Sequence, residues 1–364
     1  MTLVVIFAGS SAVADTVRIR LGENYERLLI QGRNIKVKNH FKCEGFCSFE
    51  LLQKSPRQVL IKKVDGSYFK SIRTKVQISG DQLRLGSKLI PNKVDVLPEK
   101  GGMTLIAFED LEHYLIGVLA SEMPTNWPLE TLKAQAVAAK SYLKAVQQER
   151  VKQSFDVEAT VLDQVFKKRD ISSEQYSKVV KAVRSVSSYK LINQSGEVLK
   201  AFYHADCGGQ TLTPTDVWAG GESFGTARDQ TCATRKKSRW NFSLSKEEFF
   251  TKIARKLKLE FAVLPEIAWG QKEIASHREV VFYVGEQQFS VAGNQLRSWL
   301  GFDRLKSTRF RVVDHGDRFE FEGIGYGHGV GLCQWGSRDL GQKGYSFQRI
   351  LKHYYPLAQI KSLR

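Results

Sequence analysis

The chain divides by the period of its apolar positions. From residue 16 to about 98, short runs such as Val17-Arg18-Ile19-Arg20-Leu21, Leu28-Leu29-Ile30 and Val59-Leu60-Ile61 are separated by Gly and Asn. Apolar and polar side chains alternate there, and alternation with turn residues as punctuation predicts a β-rich region over 15–98. Pro98-Glu99-Lys100-Gly101-Gly102 is the clearest boundary signal.

Beyond it the period lengthens. Asp110 is placed to cap a helix reaching about residue 120, with Leu111, Tyr114, Leu115, Val118 and Leu119 on one face. Pro124 and Pro128 cannot sit in a helix interior, so Glu122 falls at the helix end or in the turn after it. A second helix starts near Pro128 and runs through Leu132, Ala136, Ala139, Leu143 and Val146, and its alanines at 134, 136, 138 and 139 permit close packing. Ser172 with Gln175 reads as a capping box opening a third helix. A strand is expected over 198–204 after a turn at Gly196, and a helix over 246–259. Strands near 279–292 and 309–324, the latter pair turning at Gly316, precede helices over about 331–342 and 347–354. The mixture predicts an α+β fold, a β-rich N-terminal region packed on a mixed helix-and-sheet body that carries a substrate cleft. The expected segments are 1–14, 15–98 and 99–364.

Composition adds a compartment and a surface. With 364 residues and 42% hydrophobic side chains the chain has material for a sizeable core and is globular, not disordered. Its formal charge of +17 draws polyanions, whether nucleic acid, anionic lipid or an acidic polysaccharide. Residues 1–14 narrow that choice. Leu3 to Ala8 are apolar, small residues follow, and Ala12-Val13-Ala14 before Asp15 fits signal-peptidase cleavage. The first positive side chain is Arg18, so the basic start of a signal peptide is missing and the segment reads as a truncated signal, with a hydrophobic strand as the other reading. Export to the periplasm or cell wall is therefore expected, and a nucleic-acid partner, resting on charge alone, is not. No stretch approaches the ~20 apolar residues of a membrane-spanning helix.

Of five cysteines, Cys43 and Cys47 are close enough for a small disulfide loop, and a Cys207–Cys232 disulfide is expected, leaving Cys333 single. A zinc site needs four ligands, and only His204 lies near Cys207 and Cys232, so zinc on these three is the second reading and unlinked thiols the third, and no metal or cofactor is assigned.

Three stretches can carry chemistry. Glu122 is flanked by Met123, Pro124 and Trp127, apolar walls that would favour a protonated carboxyl, and Trp127 has a face to stack on a sugar. The plain alternative is a carboxylate that caps the next helix or pairs with a lysine. In 323–331, Gly-Ile-Gly-Tyr-Gly-His-Gly-Val-Gly, glycine at every second position lets backbone approach a bulky ligand and leaves His328 prominent at a helix start near Val330. A tight strand-to-helix turn explains it equally well. Tyr203-His204-Ala205-Asp206-Cys207-Gly208-Gly209 ends a strand in polar groups, either lining a cleft or closing a surface hairpin.

Taken together, these stretches resemble one family. Ala120-Ser121-Glu122-Met123-Pro124, Trp127-Pro128 and Leu132 to Tyr142 resemble the signature of stage II sporulation protein D and its amidase-enhancer relatives. So do the Gly327 to Gly336 stretch and Ile350 to Pro356, with Asp163-Gln164-Val165-Phe166, Tyr203-His204, Gly208-Gly209 and Asp216-Val217-Trp218 in order between them. The match covers about 105 to 358. The resemblance implies an exported lytic transglycosylase that cleaves the N-acetylmuramyl–N-acetylglucosaminyl bond of glycan strands stripped of stem peptides and leaves 1,6-anhydro ends. Glu122 would be the acid and then the base, and no water attacks, so no second carboxylate is required. The same resemblance suggests Lys140, Tyr142, His204, Gly327, His328, Gly329 and Gln334 for substrate binding. Lys140 stands where many relatives carry Arg, and Cys333 and Trp335 replace commoner residues of the glycine motif. The other reading it allows is a non-catalytic wall-binding partner of a cell-wall amidase.

Overall fold

The computed structural model describes residues 15–63, 69–72, 75–170, 172–218, 220–258, 273–276, 279–284 and 287–362. Residues 1–14, where the signal segment is expected, lie outside them. The fold is α+β, with a large sheet in the N-terminal region. The described chain forms two compact units, one of residues up to Thr125 with Ala145–Arg184, the other of Asn126–Lys144 with Ser185 onward.

In the first unit the alternating pattern builds one sheet. Its strands run in the order Val157–Glu158, Thr16–Tyr25, Gly102–Asp110, Lys93–Glu99, Val76–Leu85, Arg27–Val37, Phe41–Ser55, Gln58–Lys63 and Phe69–Ile72. All neighbours are antiparallel except Val157–Glu158, which pairs parallel with Ile19 and Arg20. Val17, Ile19, Leu28, Ile30, Val59 and Ile61 point inward on the same period that marked them in the sequence. The expected boundary at Pro98–Gly102 is instead the turn of a hairpin, because Lys93–Glu99 pairs residue by residue with Gly102–Asp110.

That last strand runs directly into helix α1 (Leu111–Glu122), where Asp110 caps the first turn by accepting from the His113 N–H at 2.9 Å. Met123 takes an extended conformation that ends the helix before Pro124. Helix α2 (Leu129–Glu149) follows, and Ala134, Ala136, Ala138 and Ala139 are all buried. Helix α3 (Ser177–Ser185) begins later than the capping-box pattern implied. Ser172 turns its hydroxyl to Asp170, so it is spent on a local turn and caps nothing.

The second unit is built from several small sheets. Arg239–Ser245, Arg318–Ile324, Arg309–Asp314 and Ala275–Ser276 make the largest, with Gly316 at φ +89° in the expected hairpin turn. Helices α4 (Gln230–Thr234), α5 (Lys246–Leu257) and α6 (Gly293–Leu300) follow in chain order. An aromatic core of Phe249, Phe250, Phe310, Phe319 and Phe321 holds α5 against the sheet. Toward the C-terminus come α7 (Gln334–Gln342) and α8 (Phe347–Tyr354). A two-residue parallel ladder sets Tyr203 beside Leu332 and His204 beside Cys333.

Candidate functional site

Glu122 is the last residue of α1 and is half-buried. Its Oε1 accepts the backbone N–H of Val165 at 2.9 Å. Each residue of the Asp163-Gln164-Val165-Phe166 run has a part in holding that amide. Asp163, almost wholly buried, takes two bonds from the Arg150 guanidinium and one from the Glu158 N–H at 2.8 Å. Gln164 accepts from the Tyr114 hydroxyl at 2.8 Å, and Phe166 stacks on the Tyr114 ring with centroids 5.3 Å apart. The fit against α1 demands glycine at 117, where a Cβ would stand 2.6 Å from the Phe166 ring and 2.8 Å from the Lys167 carbonyl. Arg169 sets its guanidinium against the Ala120 carbonyl and the Ser121 hydroxyl, at the end of α1 where the helix dipole is negative. A carboxyl that is held in place yet partly open to solvent can pass a proton in either direction.

In the second unit His204 and His328 form a separate cluster, with ring centroids 5.7 Å apart. The backbone of one residue, Val330, sets both tautomers. The Val330 N–H donates to His328 Nδ1 at 3.1 Å, so a neutral His328 carries its proton on Nε2. The Val330 carbonyl accepts from His204 Nδ1 at 3.0 Å, so a neutral His204 carries its lone pair on Nε2. Burial first, then the neighbouring His204 and Arg297, hold the His328 imidazole well below its ordinary range. Trp218 lies 5.2 Å from the His328 ring and stacks on Phe202 at 4.7 Å. Tyr142 packs edge-on to Phe202, and Lys200 stands over both rings. Trp218, Phe202 and Lys200 carry no role that the sequence alone announces, because nothing in their spacing links them to the glycine stretch.

Other expected contributors have different surroundings. Gly325, Gly327, Gly329 and Gly331 all have positive φ, but what approaches them is the chain's own 202–212 segment. A Cβ on Gly327 would meet His204 Cβ at 2.7 Å, and one on Gly331 would overlap the Phe202 carbonyl. The glycines thus serve internal packing, and the following helix starts at Gln334, not near Val330. Trp127 is only 8% exposed and packs on Trp335, which leaves little of its face for a sugar. Lys140 is buried with its ammonium on the Ser187 carbonyl, and Gln334 is buried too. Glu122 belongs to the first unit; Lys140, Tyr142, His204, Gly327, His328, Gly329 and Gln334 all belong to the second. Cys43 and Cys47 form a disulfide, whereas Cys207 and Cys232 are free thiols and Cys333, expected to stand apart, joins them.

Comparison with known proteins bears on the segment that holds Glu122. Residues 99–192 match the protein-family model described as Stage II sporulation protein. Stage II sporulation protein D of Bacillus subtilis is 27% identical over 267 residues, 69% of this chain and 74% of that protein. These likenesses support the stage II sporulation protein D family for the chain. An uncharacterized protein of Brachyspira hyodysenteriae is 26% identical over 71% of this chain and 68% of its own length. The amidase enhancer of Bacillus subtilis is 26% identical over 66% of this chain, but the match spans only 39% of that longer protein. The matched segment contains α1, Glu122, α2 and the 163–166 run that contacts the carboxyl.

Proposed function

We propose that this protein is an exported lytic transglycosylase acting on peptide-stripped peptidoglycan strands, with Glu122 as acid and then base. The observation that carries the reading is the half-buried Glu122 carboxyl, held at Oε1 by the Val165 amide on a segment braced from three sides. In the first step Glu122 gives its proton to the glycosidic oxygen as the bond from that oxygen to the muramyl anomeric carbon breaks. The carboxylate then takes the proton of the muramyl C6 hydroxyl, whose oxygen closes on the same carbon. The proton is returned, no water is consumed, and a 1,6-anhydro end is left.

The substrate preference follows from charge. A glycan strand without stem peptides exposes a lactyl carboxylate on each muramyl residue, and a chain of formal charge +17 attracts it. Binding should therefore weaken as salt rises.

A second reading has its own support in the likeness to an amidase enhancer. Here the protein would bind wall glycan without cleaving it and stimulate an N-acetylmuramoyl-L-alanine amidase. Product analysis separates the two. Incubation with peptide-free strands should yield anhydro-muramyl ends under the first reading. Under the second it should yield intact strands, with a gain in amidase turnover.

A further inference from the structure

The first unit contains a cavity of about 400 Å³, bordered by the segment that holds Glu122. One wall comes from the strand Thr16–Tyr25, which is bulged at Leu21. Arg20 stands opposite Ile106 and Gly22 opposite Leu105, so Leu21 has no residue opposite it. Bulges re-aim side chains, and here Leu21 and Tyr25 both line the cavity. Tyr25 lies across Gly22, where an added Cβ would stand 2.2 Å from the phenol oxygen, so glycine at 22 gives the ring its place. Leu85, Leu89, Ile90 and Pro91 form a second wall, and Val165 to Arg169 form a third.

The lining divides by chemistry. Leu21, Leu85, Leu89, Ile90, Pro91 and Phe166 are apolar, whereas Lys88, Lys167, Lys168 and Arg169 are cationic. No lining side chain is acidic, and Tyr25 brings the one neutral polar group. Two of the four cations are committed elsewhere. Lys168 pairs with Glu109, and Arg169 lies on the Ala120 carbonyl and the Ser121 hydroxyl. Lys88 and Lys167 are exposed, and among the described residues neither ammonium has a partner. Burial keeps the Tyr25 phenol protonated and able to donate. Apolar walls with uncommitted cations at their edge select an anion carried on an apolar body. A sugar would leave most of its hydroxyls without partners against these walls, which sets the cavity apart from a glycan cleft.

We propose that this cavity binds a small amphipathic carboxylate, an acyl chain on the order of eight to ten carbons with its head at Lys88 and Lys167. The chain would lie on Leu21, Leu89 and Phe166. Each buried methylene strengthens such binding about fourfold, and a carboxylate on an ammonium makes a stronger bond than two neutral groups do. Occupancy would bear on Val165 and Phe166, and through them on the amide that holds the Glu122 carboxyl. The site does not depend on Glu122 being catalytic.

The test is calorimetric titration of the full chain with octanoate, hexanoate, octanol and N-acetylmuramic acid at one ionic strength. Saturable binding of one octanoate per chain is expected, with each of the other three weaker by roughly tenfold or more. Changing Lys88→Met and Lys167→Met together alters two exposed side chains. It should weaken octanoate by roughly tenfold or more and leave octanol unchanged. Ala159→Trp, which puts a bulky ring into the cavity, should abolish both. No saturable octanoate binding, equal affinity for octanol, or an unaffected lysine double variant would overturn the proposal. N-acetylmuramic acid binding more tightly than octanoate would make the cavity a glycan subsite and overturn the acyl reading. Should Ala159→Trp fail to fold, the ligand series and the lysine pair still decide.

Discussion

The backbone N–H of Val165 donates to Glu122 Oε1 at 2.9 Å, across a sequence separation of 43 residues. The helix end alone does not fix the carboxyl; a second segment does, and the contacts that hold that segment are open to mutation. Gly117→Ala would push a methyl group to 2.6 Å from Phe166 and 2.8 Å from the Lys167 carbonyl. Overpacking of this kind costs about 1–3 kcal/mol, and the 165–167 segment should move off α1. The expected outcome is a folded protein with a modestly lower melting temperature and a much larger fall in kcat than in substrate affinity. Unchanged turnover would remove the Val165 amide from the account.

Lys140 tests a different expectation. Its ammonium lies on the Ser187 carbonyl inside the second unit, so Lys140→Met should lower stability by about 1–3 kcal/mol through the lost charge-assisted bond. Glycan affinity at low temperature should change little. A large rise in KM with unchanged denaturant midpoint would return Lys140 to the substrate.

The ends of α1 and the sheet region were legible because they rest on local patterns. Asp110, the Pro124 stop and the strand alternation each act within a few residues. Other features depend on partners far along the chain. Nothing near Asp163 or Gln164 announces Arg150 or Tyr114, and no spacing rule gathers Cys207, Cys232 and Cys333, since none of them sits in a Cys-x-x-Cys pair. The glycine stretch was readable as a close approach, but not the identity of what approaches, which is the 202–212 segment. The position of Glu122 at the end of α1 was legible from the prolines that follow it, whereas nothing in the sequence linked the 163–166 segment to its carboxyl.

Glycine at 331 has no substitute on this reading. Its φ is +73° and an added Cβ would overlap the Phe202 carbonyl oxygen. Gly331→Ala should prevent soluble expression or lower the melting temperature by many degrees. Gly316→Ala, where nothing lies within 4 Å and only the positive φ is strained, should cost on the order of 1 kcal/mol. Equal effects of the two changes would contradict the packing described for the 323–331 stretch.

His328 sets an acid limit. His328 titrates below its ordinary value in the folded chain, so below about pH 6.5 the unfolded chain binds the extra proton and the folded one does not. Its contribution is therefore fully present above that pH and is lost as pH falls toward the folded value. Melting temperature should decline from neutral pH toward pH 5, and His328→Gln should flatten that decline. An identical acid limb in the variant would assign the loss to other groups.

The central claim is that Glu122 carries the proton in glycan cleavage. The most direct measurement is mass spectrometry of peptide-free strands incubated with the protein and, in parallel, with a Glu122→Gln variant of matched melting temperature. Anhydro-muramyl ends from the wild type, reduced at least a thousandfold in the variant, are the predicted result. Equal product from both, or intact strands with retained glycan binding, would contradict it.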